Sequence, residues 1–271
     1  MQNKYKLNLM LRYWPDEGLA TAAWLRERGI SSTLLRHYVL RKWLKRAGPG
    51  VYGRPRDTPG WQAALHALRR QEGFPFHIGG LSALEIHLGP RLPIAAATSG
   101  ASAEAEEGER PLFLYGPAGR RLPAWFICVA GRPVRYVPAG PFASAPDESV
   151  RSMTIGSFPI AVSVPERAAL EMLRLVPGQV GFAEALEFIG KLAELRPDLM
   201  RTLLEGCSSV KVRRLFLYCA RESGHGWYER LERGRINLGS GKREIVKGGR
   251  LDKEFLLTIP KQEQAGEGQK C

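Results

Sequence analysis

The stretch that decides the fold spans residues 19–52 and reads LATAAWLRERGISSTLLRHYVLRKWLKRAGPGVY. It predicts a helix, a tight turn, a second helix and a short basic hairpin. Thr21 can cap the first helix, and Gly29 ends it where a left-handed residue costs little. Ser31 or Ser32 can accept hydrogen bonds from the free N–H groups of the second helix. This order predicts a winged helix-turn-helix, in which the hairpin is the wing.

The second helix, expected at about residues 32–42, has two faces of different chemistry. At about 100° per residue, one face collects side chains suited to a core, namely Leu34, Leu35, Tyr38 and Val39. The opposite face collects Thr33, Arg36, His37, Leu40 and Arg41. Arginine forks, short polar groups and one leucine are suited to reading base edges in a DNA major groove.

We therefore predict a DNA-binding surface on this stretch and on the linker after it. Arg36, His37 and Arg41 are expected to read bases, because they share the polar face of the helix. Cations of the hairpin and of the linker at residues 54–60 are expected to contact phosphates. The full predicted set is Ser32, Thr33, Arg36, His37, Leu40, Arg41, Lys42, Lys45, Arg46, Arg54 and Arg56.

The distribution of charge along the chain supports this prediction. Residues 1–56 hold twelve lysines and arginines against three acidic residues, a net +9 of the whole chain's +13. Residues 57–150 carry a net −1 and residues 151–271 a net +5. A solvated basic helical hairpin is the alternative interpretation. The surplus coincides with the helix-turn-helix pattern, however, and that coincidence favours nucleic acid as a partner.

Composition restricts the remaining function classes. The chain has 271 residues, 44% hydrophobic and 25% charged, which is typical of a globular protein. No apolar run is long enough to cross a bilayer and no signal-peptide cleavage region is visible, so we expect a cytoplasmic protein without a membrane partner. The four cysteines are scattered without a CxxC pair, and the five histidines are dispersed. We therefore predict no metal site, no disulfide framework and no cofactor.

We predict an α+β fold in two domains. Residues 1–58 would form the winged helix-turn-helix, and residues 59–271 a larger mixed α/β C-terminal domain. Residues 95–110, AAATSGASAEAEEGER, are small and acidic and predict a mobile loop, while residues 261–271 predict a disordered tail.

The second domain should contain helices before and after a group of strands. Helices are predicted at 61–72, 82–87, 165–175, 182–195, 199–204 and 209–222. Strands are predicted at 76–78, 112–115, 125–129, 134–137, 152–155, 159–162, 235–238, 243–246 and 255–259.

Four sequence blocks follow the helix-turn-helix in a specific order. They read HIGGLSALEIHLG (77–89), SVPERAALEML (163–173), SSVKVRRLFLYCA (208–220) and INLGSGKREIVKGGRLDKEFLLTIP (236–260). Together with the short winged helix before them, they resemble the AbiEi family, the antitoxins of bacterial type IV toxin–antitoxin and abortive-infection systems. The resemblance covers nearly the whole chain except the acidic loop and the tail.

The resemblance implies a DNA-binding domain that represses its own operon at inverted repeats in the promoter. It also implies a C-terminal domain that neutralises a toxin with a nucleotidyltransferase fold, without a stable complex between the two. Two alternatives remain open. One is a winged-helix regulator whose C-terminal domain senses a small ligand, and the other is an antitoxin that modifies its toxin enzymatically.

Two motifs near the C-terminus suggest an enzyme but lack essential parts. A phosphate loop at Gly241-Lys242 would need an earlier glycine where Ile236 stands and a hydroxyl where Arg243 stands. The Gly239-Ser240 turn followed by Asp252-Lys253-Glu254 is similar to a nucleotidyltransferase signature. The residue between those carboxylates should be apolar, and no strand follows that could supply a third carboxylate. We therefore predict no catalytic residues.

The helix at 209–222 has a basic row that could serve the antitoxin function. Val212, Leu215, Phe216 and Cys219 are spaced as a buried stripe. The row expected to point outward is Lys211, Arg214, Tyr218 and Arg221, with Arg213 nearby. A solvated helix face is the alternative. We predict an antitoxic surface here that binds an acidic partner or a nucleic-acid backbone.

Overall fold

The computed structural model describes residues 11, 14, 16–89 and 110–261. The predicted acidic loop lies outside these residues except at Arg110, and the predicted tail lies outside them except at Lys261. Internal packing divides the chain into two units. The first unit comprises residues 1–78, 105–140 and 150–162, and the second comprises residues 79–104, 141–149 and 163–271. The boundary predicted at residue 58 falls inside the first unit.

The described residues contain both helices and strands, in agreement with the predicted α+β class. The helices are α1 (Ala22–Glu27), α2 (Ser32–Leu40), α3 (Trp61–Glu72), α4 (Gly80–Leu88), α5 (Ala124–Val129), α6 (Pro165–Arg174), α7 (Phe182–Gly190), α8 (Pro197–Gly206), α9 (Val210–Ser223) and α10 (Gly226–Glu229). The strands are β1 (Leu19–Thr21), β2 (Lys45–Gly48), β3 (Val51–Gly53), β4 (His77–Ile78), β5 (Leu112–Gly116), β6 (Val134–Pro138), β7 (Val150–Ile155), β8 (Phe158–Ser163), β9 (Arg243–Glu244), β10 (Arg250–Asp252) and β11 (Leu257–Ile259).

Short side chains fix the two N-terminal helices at the positions that the sequence predicts. The hydroxyl of Thr21 accepts from the backbone N–H of Trp24 at 3.2 Å and caps α1. The hydroxyl of Ser31 accepts from the N–H of Leu34 at 3.2 Å and caps α2. Between them Gly29 has a φ of +79°, the left-handed conformation expected after a helix. The predicted caps and turn are therefore confirmed.

A three-stranded antiparallel sheet in the order β1-β3-β2 completes this segment. Its helices and strands enclose a buried cluster of Trp14, Ala20, Leu25, Ile30, Leu35, Tyr38 and Leu44. Helix α3 is tied to this sheet, because the Gln71 side chain accepts from the N–H of Thr21 at 2.8 Å and donates to the carbonyl of Leu19 at 2.7 Å.

The first unit also contains a five-stranded mixed sheet. Of its residues, only Ser163, the last residue of β8, belongs to the second unit. The strand order is β6-β5-β4-β8-β7, with β4 antiparallel to β5 and parallel to β8. Helix α3 runs over residues 61–72, as predicted. It buries Ala63, Leu65 and Leu68 and ends at Gly73, whose φ is +59°.

The predicted strand at residues 125–129 is wrong, because these residues form helix α5. Pro123 precedes the helix and its carbonyl accepts from the N–H of Phe126 at 3.0 Å. Phe126 is the buried residue of this helix, whereas Ile127 and Cys128 are exposed. The indole of Trp125 donates to Glu72 at 2.6 Å and joins α5 to α3. Aromatic and β-branched residues favoured a strand locally, but tertiary packing selected a helix.

The second unit is mostly helical. Helix α6 packs against α4, and α9 packs against both α6 and α7. Helix α7 ends at Gly190, earlier than predicted, and residues 235–238 are not the predicted strand. The small sheet β10-β11-β9 lies near the end of the described chain. Within the described residues no helix is both long and apolar enough to cross a bilayer.

Candidate nucleic-acid interface

Helix α2 separates its residues into a buried face and an exposed face. Leu35 and Tyr38 are buried, and burial raises the pKa of the Tyr38 hydroxyl above its ordinary value. Leu34 and Val39 are partly buried against the same cluster. The exposed set is Ser32, Thr33, Arg36, His37, Leu40, Arg41 and Lys42. The predicted orientation of the helix is therefore confirmed.

The exposed face of α2 carries cations without intramolecular partners. Arg36 and Arg41 form no ion pair or hydrogen bond through their side chains with any part of the chain that the structure describes. Leu40 lies on this face and remains 73% exposed, a large fraction for an apolar side chain. The face therefore presents free guanidinium donors and one apolar contact to its surroundings.

The backbone at the end of α2 is unusual. Lys42 has a φ of +56°, a conformation that glycine adopts at lower cost than lysine. Its N–H donates to the carbonyl of Val39 at 3.0 Å, which closes the last turn of the helix. The exposed lysine thus occupies a position where stability alone favours glycine.

The basic hairpin follows directly. Strands β2 and β3 pair with an irregularity between Arg46 and Gly48, and Gly50 turns the chain with a φ of +69°. The side chain of Arg46 is exposed, and its Nε donates to the carbonyl of Gly48 at 3.3 Å. The Nζ of Lys45, which is partly buried, donates to the carbonyl of Asp57. Lys45 therefore holds the linker against the hairpin.

Arg54 does not fit the backbone-contacting role that we predicted for it. Its guanidinium donates to the carbonyls of Leu11 and Trp14 at 3.0 and 2.6 Å, and it pairs with Asp16. These bonds use the donors that a phosphate would need, because a guanidinium has five N–H groups in a fixed fork. Arg54 is a structural clamp on the preceding segment.

Other cations of the same segment are exposed. Arg56, from the predicted set, is exposed in the linker. Arg26 and Arg28 of α1 are exposed as well, and we did not predict them as site residues. The guanidinium of Arg28 lies 3.9 Å from the centre of the Trp24 ring. Arg26 and Arg28 lie within residues 1–56, the segment of net charge +9, and on that ground they could have been added to the predicted DNA-binding set.

Helix α9 contradicts the predicted outward row. Arg214 is 1% exposed and Tyr218 is 2% exposed. Arg214 donates to the carbonyls of Leu238 at 2.7 Å, Gly241 at 2.5 Å and Gly239 at 3.0 Å. Burial lowers the pKa of this guanidinium and raises that of the Tyr218 hydroxyl. The C-terminal segment covers the face that was expected to be free.

The other members of the row are also held by the fold. The Nζ of Lys211 donates to the carbonyl of Val176 at 2.6 Å, and burial lowers its pKa. Arg213 donates to the carbonyl of Cys207 at 2.9 Å. Arg221 pairs with Asp252 at 2.7 Å. The row therefore joins segments of the second unit, and it does not present the open basic surface that we expected.

Arg221 also occupies the carboxylates of the nucleotidyltransferase-like motif. Its guanidinium bonds Asp252, Glu254 and the neighbouring Glu222. Burial alone would lower the pKa of Arg221, but these hydrogen bonds raise it above its ordinary value. Among the described residues no group of three His, Cys, Asp or Glu side chains could hold a metal ion. The two carboxylates have a structural partner in this fold.

Two buried glutamates explain the block SVPERAALEML. Glu171 accepts from the N–H of Gly80 at 3.0 Å and from the hydroxyl of Ser163 at 2.8 Å. Glu166, in the first turn of α6, accepts from the backbone and side chain of Arg196. Glu166 therefore has a structural role at the start of α6. This block is therefore a packing motif of the second unit.

These features define a regulator-like N-terminal segment joined to a larger domain, and the comparisons identify the class. Residues 109–260 match the family model described as "Transcriptional regulator, AbiEi antitoxin, Type IV TA system". Residues 3–89 match "Transcriptional regulator, AbiEi antitoxin N-terminal domain". The chain belongs to the AbiEi family of type IV antitoxins and transcriptional regulators. The family assignment made from the sequence blocks is confirmed.

A solved structure supports the fold. The crystal structure of the RV2827C protein from Mycobacterium tuberculosis is similar with a TM-score of 0.56 and 14% sequence identity. The similarity covers 89% of this chain and 85% of that chain. At this identity the likeness concerns the fold alone. No curated protein matches the chain at a significant level.

Proposed function

We propose that the N-terminal segment is a winged helix-turn-helix that binds double-stranded DNA with α2 in the major groove. One observation carries the proposal: Arg36 and Arg41 lie on the exposed face of α2, and their side chains have no partner among the described residues. Arg36, His37 and Arg41 read base edges, and Leu40 contacts a thymine methyl group. Ser32 and Thr33 lie at the helix N-terminus, where hydroxyls and free N–H groups suit phosphate oxygens.

The hairpin is the proposed wing, and its cations contact the DNA backbone. Lys42, Arg46 and Arg56 are exposed and available for phosphates. Lys45 gives one donor to Asp57 and has two further N–H groups, so it remains part of the proposed interface. Arg54 is left out, because its guanidinium holds the preceding segment.

We further propose that the DNA is the protein's own promoter and that binding to inverted repeats represses the operon. The family supports repression, because its members are described as transcriptional regulators and type IV antitoxins. The toxin is a nucleotidyltransferase-like protein, and the antitoxin opposes its action without catalysis and without a stable complex. Arg214 and Tyr218 in the row of α9 are buried, so this row does not offer the toxin an open basic surface.

A band-shift assay with the promoter fragment tests the DNA-binding proposal. Arg36→Ala/Arg41→Ala should lose sequence preference. Each bidentate contact that is removed should lower the free energy of discrimination between bases by roughly 1–3 kcal/mol. Arg46→Ala should weaken all sequences alike and lower the slope of log K against log salt by about one unit. The two outcomes differ because base contacts specify and phosphate contacts only position.

The matched control removes the same charge elsewhere. Arg230 and Lys253 are exposed residues of the second unit, and Arg230→Ala/Lys253→Ala should bind the promoter like the wild type. If Arg36→Ala/Arg41→Ala also binds like the wild type, α2 is not the recognition helix. Circular dichroism of each variant shows that the fold is retained.

The toxin partner is tested in cells. A gene for a nucleotidyltransferase-like protein beside this one, toxic alone and harmless with the wild-type chain, supports the antitoxin proposal. Absence of such a neighbour would favour the regulator that senses a ligand. Chemical modification of the toxin after co-expression, seen by mass spectrometry, would favour the enzymatic antitoxin.

A further inference from the structure

A basic pocket lies within the first unit, between α3 and the β7–β8 edge of the five-stranded sheet. Its volume is about 420 Å³, within the range of small-molecule sites. The polar lining is His66, Arg69 and Arg70 of α3 with Arg151 and Ser152 of β7, while Phe76 and Ile160 contribute to the apolar lining. No aspartate or glutamate is among the described residues that line it.

The cations of the pocket are concentrated by the helix. His66, Arg69 and Arg70 are spaced i, i+3 and i+4, so they share one face of α3. Arg69 and Arg70 contribute two guanidinium groups from this helix, and Arg151 adds a third from the sheet. Arg69 donates to the carbonyl of Phe76 at 2.8 Å. Arg70 and Arg151 are exposed, and their side chains pair with no residue that the structure describes.

His66 supplies an independent observation. Its Nδ1 atom is buried and has no hydrogen-bond partner within the described chain. The ring packs against Phe158, with centroids 5.1 Å apart. Burial, and next the charge of Arg70, lower the pKa of the imidazole, so the ring is neutral at neutral pH. A buried polar atom without a partner is uncommon in native proteins, and an unplaced water or ion is one of its explanations.

The charge and the size of the pocket together favour one class of ligand. A phosphate monoester carries about −1.5 to −2 charges near neutral pH. It therefore matches the charge of two or three guanidinium groups more closely than a carboxylate ligand does, because a carboxylate carries a single negative charge. Guanidinium forks also bind phosphate oxygens in pairs. A bare phosphate ion would leave most of the 420 Å³ and the apolar side chains without contacts.

We propose that this pocket binds a small organic phosphate monoester, with Arg70 and Arg151 on the phosphate and Phe76 and Ile160 beside the organic part. The site is separate from the exposed face of α2, and it does not depend on the identity of the promoter or the toxin.

Isothermal titration of the full chain with phenyl phosphate tests the proposal, in a phosphate-free buffer of low ionic strength. Phenyl phosphate should bind saturably, and more tightly than inorganic phosphate or benzoate. Arg70→Gln and Arg151→Gln should each weaken binding by about tenfold or more, because each removes a charge-assisted donor pair. Both side chains are exposed and unpaired, so the variants should melt like the wild type.

The control is Arg135→Gln, which removes an exposed arginine on β6 at the opposite edge of the same sheet. It should change the affinity less than about twofold, since screening weakens distant charges. If Arg135→Gln weakened phenyl phosphate binding as much as Arg70→Gln and Arg151→Gln do, the ligand would be attracted by the overall charge of the protein, and the proposal would be wrong. The absence of saturable binding would also overturn it. A short nonspecific DNA duplex should not displace phenyl phosphate from Arg36→Ala/Arg41→Ala. Displacement would mean that the pocket takes DNA backbone, and would also overturn it.

Discussion

The backbone N–H of Gly80 donates to the carboxylate of Glu171 at 3.0 Å, although the two residues are 91 positions apart. Gly80 begins α4 with a φ of +53°, a conformation that favours glycine. The preceding residue, Gly79, has no side chain that could cap the helix. The carboxylate of Glu171 therefore satisfies a free N–H at the start of α4. Both residues lie in blocks that carry the family resemblance, and this bond shows what those blocks do.

Replacing Glu171 should be strongly destabilising. The carboxylate is fully buried and also pairs with Arg167 at 2.8 Å, so Glu171→Ala leaves a partly buried guanidinium and several donors without partners. We expect a loss of about 3–5 kcal/mol in the free energy of unfolding, measured by urea denaturation. Glu171→Gln keeps an acceptor oxygen and should lose less. Equal stability of the two variants would contradict this account.

Leu35 and Leu40 of α2 should respond differently to truncation. Leu35→Ala removes a buried side chain and should lower the free energy of unfolding by about 2–5 kcal/mol. Leu40→Ala removes a side chain that is 73% exposed, so stability should change by less than about 0.5 kcal/mol. In the promoter assay, Leu40→Ala should weaken sites with thymine opposite this residue. Replacing each thymine of the site by uracil removes its methyl group. If none of these replacements changes the affinity of the wild-type protein, the proposed contact is wrong.

Lys42→Gly should separate stability from DNA binding. A left-handed conformation costs roughly 1–2 kcal/mol in a non-glycine residue, and glycine recovers part of it. Because Lys42 has a φ of +56°, the variant should be more stable by about 0.5–1 kcal/mol. It should nevertheless bind the promoter more weakly, because the phosphate contact that we propose for Lys42 is lost. Lys42→Ala is the control, with the same loss of charge and no gain in stability.

Arg214 should be essential to the second unit. Arg214→Leu leaves the carbonyls of Leu238, Gly239 and Gly241 without their donor, and we expect a loss of about 2–4 kcal/mol in urea denaturation. Arg214→Lys should recover only part of it, because an ammonium cannot reproduce the planar fork. A Lys variant as stable as the wild type would show that charge matters and geometry does not.

The Glu166–Arg196 pair should make stability depend on pH. Burial raises the pKa of Glu166, but hydrogen bonds from Arg196 outweigh it and hold the pKa below its ordinary value. The stabilisation is therefore fully present above the ordinary carboxyl pKa and is lost as the pH falls through the folded-state pKa. Glu166→Gln should be less stable than the wild type at pH near 7, and the difference should shrink in acid. Urea midpoints from neutral to acidic pH measure it.

Local chemistry made much of the fold predictable. Thr21, Gly29 and Ser31 set helix boundaries through their own side chains or backbone, and α2 shows its buried face by spacing alone. The helix α3 carries a similar pattern of apolar residues and ends at a glycine. Where a short segment decides its own structure, the sequence is sufficient.

The failures share one cause, which is packing by distant segments. The spacing of Arg214 and Tyr218 places them opposite the apolar stripe of α9, but it does not reveal that residues 238–256 hold Arg214 or that Phe182 packs against Tyr218. Arg54 is similar, because its partners Leu11 and Trp14 lie far along the chain. The basic pocket was not predicted either, because α3 contributes His66 and Arg70 while Arg151 comes from a strand 81 positions after Arg70.

The chain passes between the two units after residues 78, 140, 149 and 162 of its described part. A single crossover in the gene would therefore divide at least one unit, and no exchange of one continuous segment could transfer one unit without also taking part of the other. Homologous genes should consequently not be mosaics in which the first unit of one lineage is joined to the second unit of another. Under the proposed DNA-binding role, new operator preferences would instead arise through single codon changes on the exposed face of α2, while both units descend together.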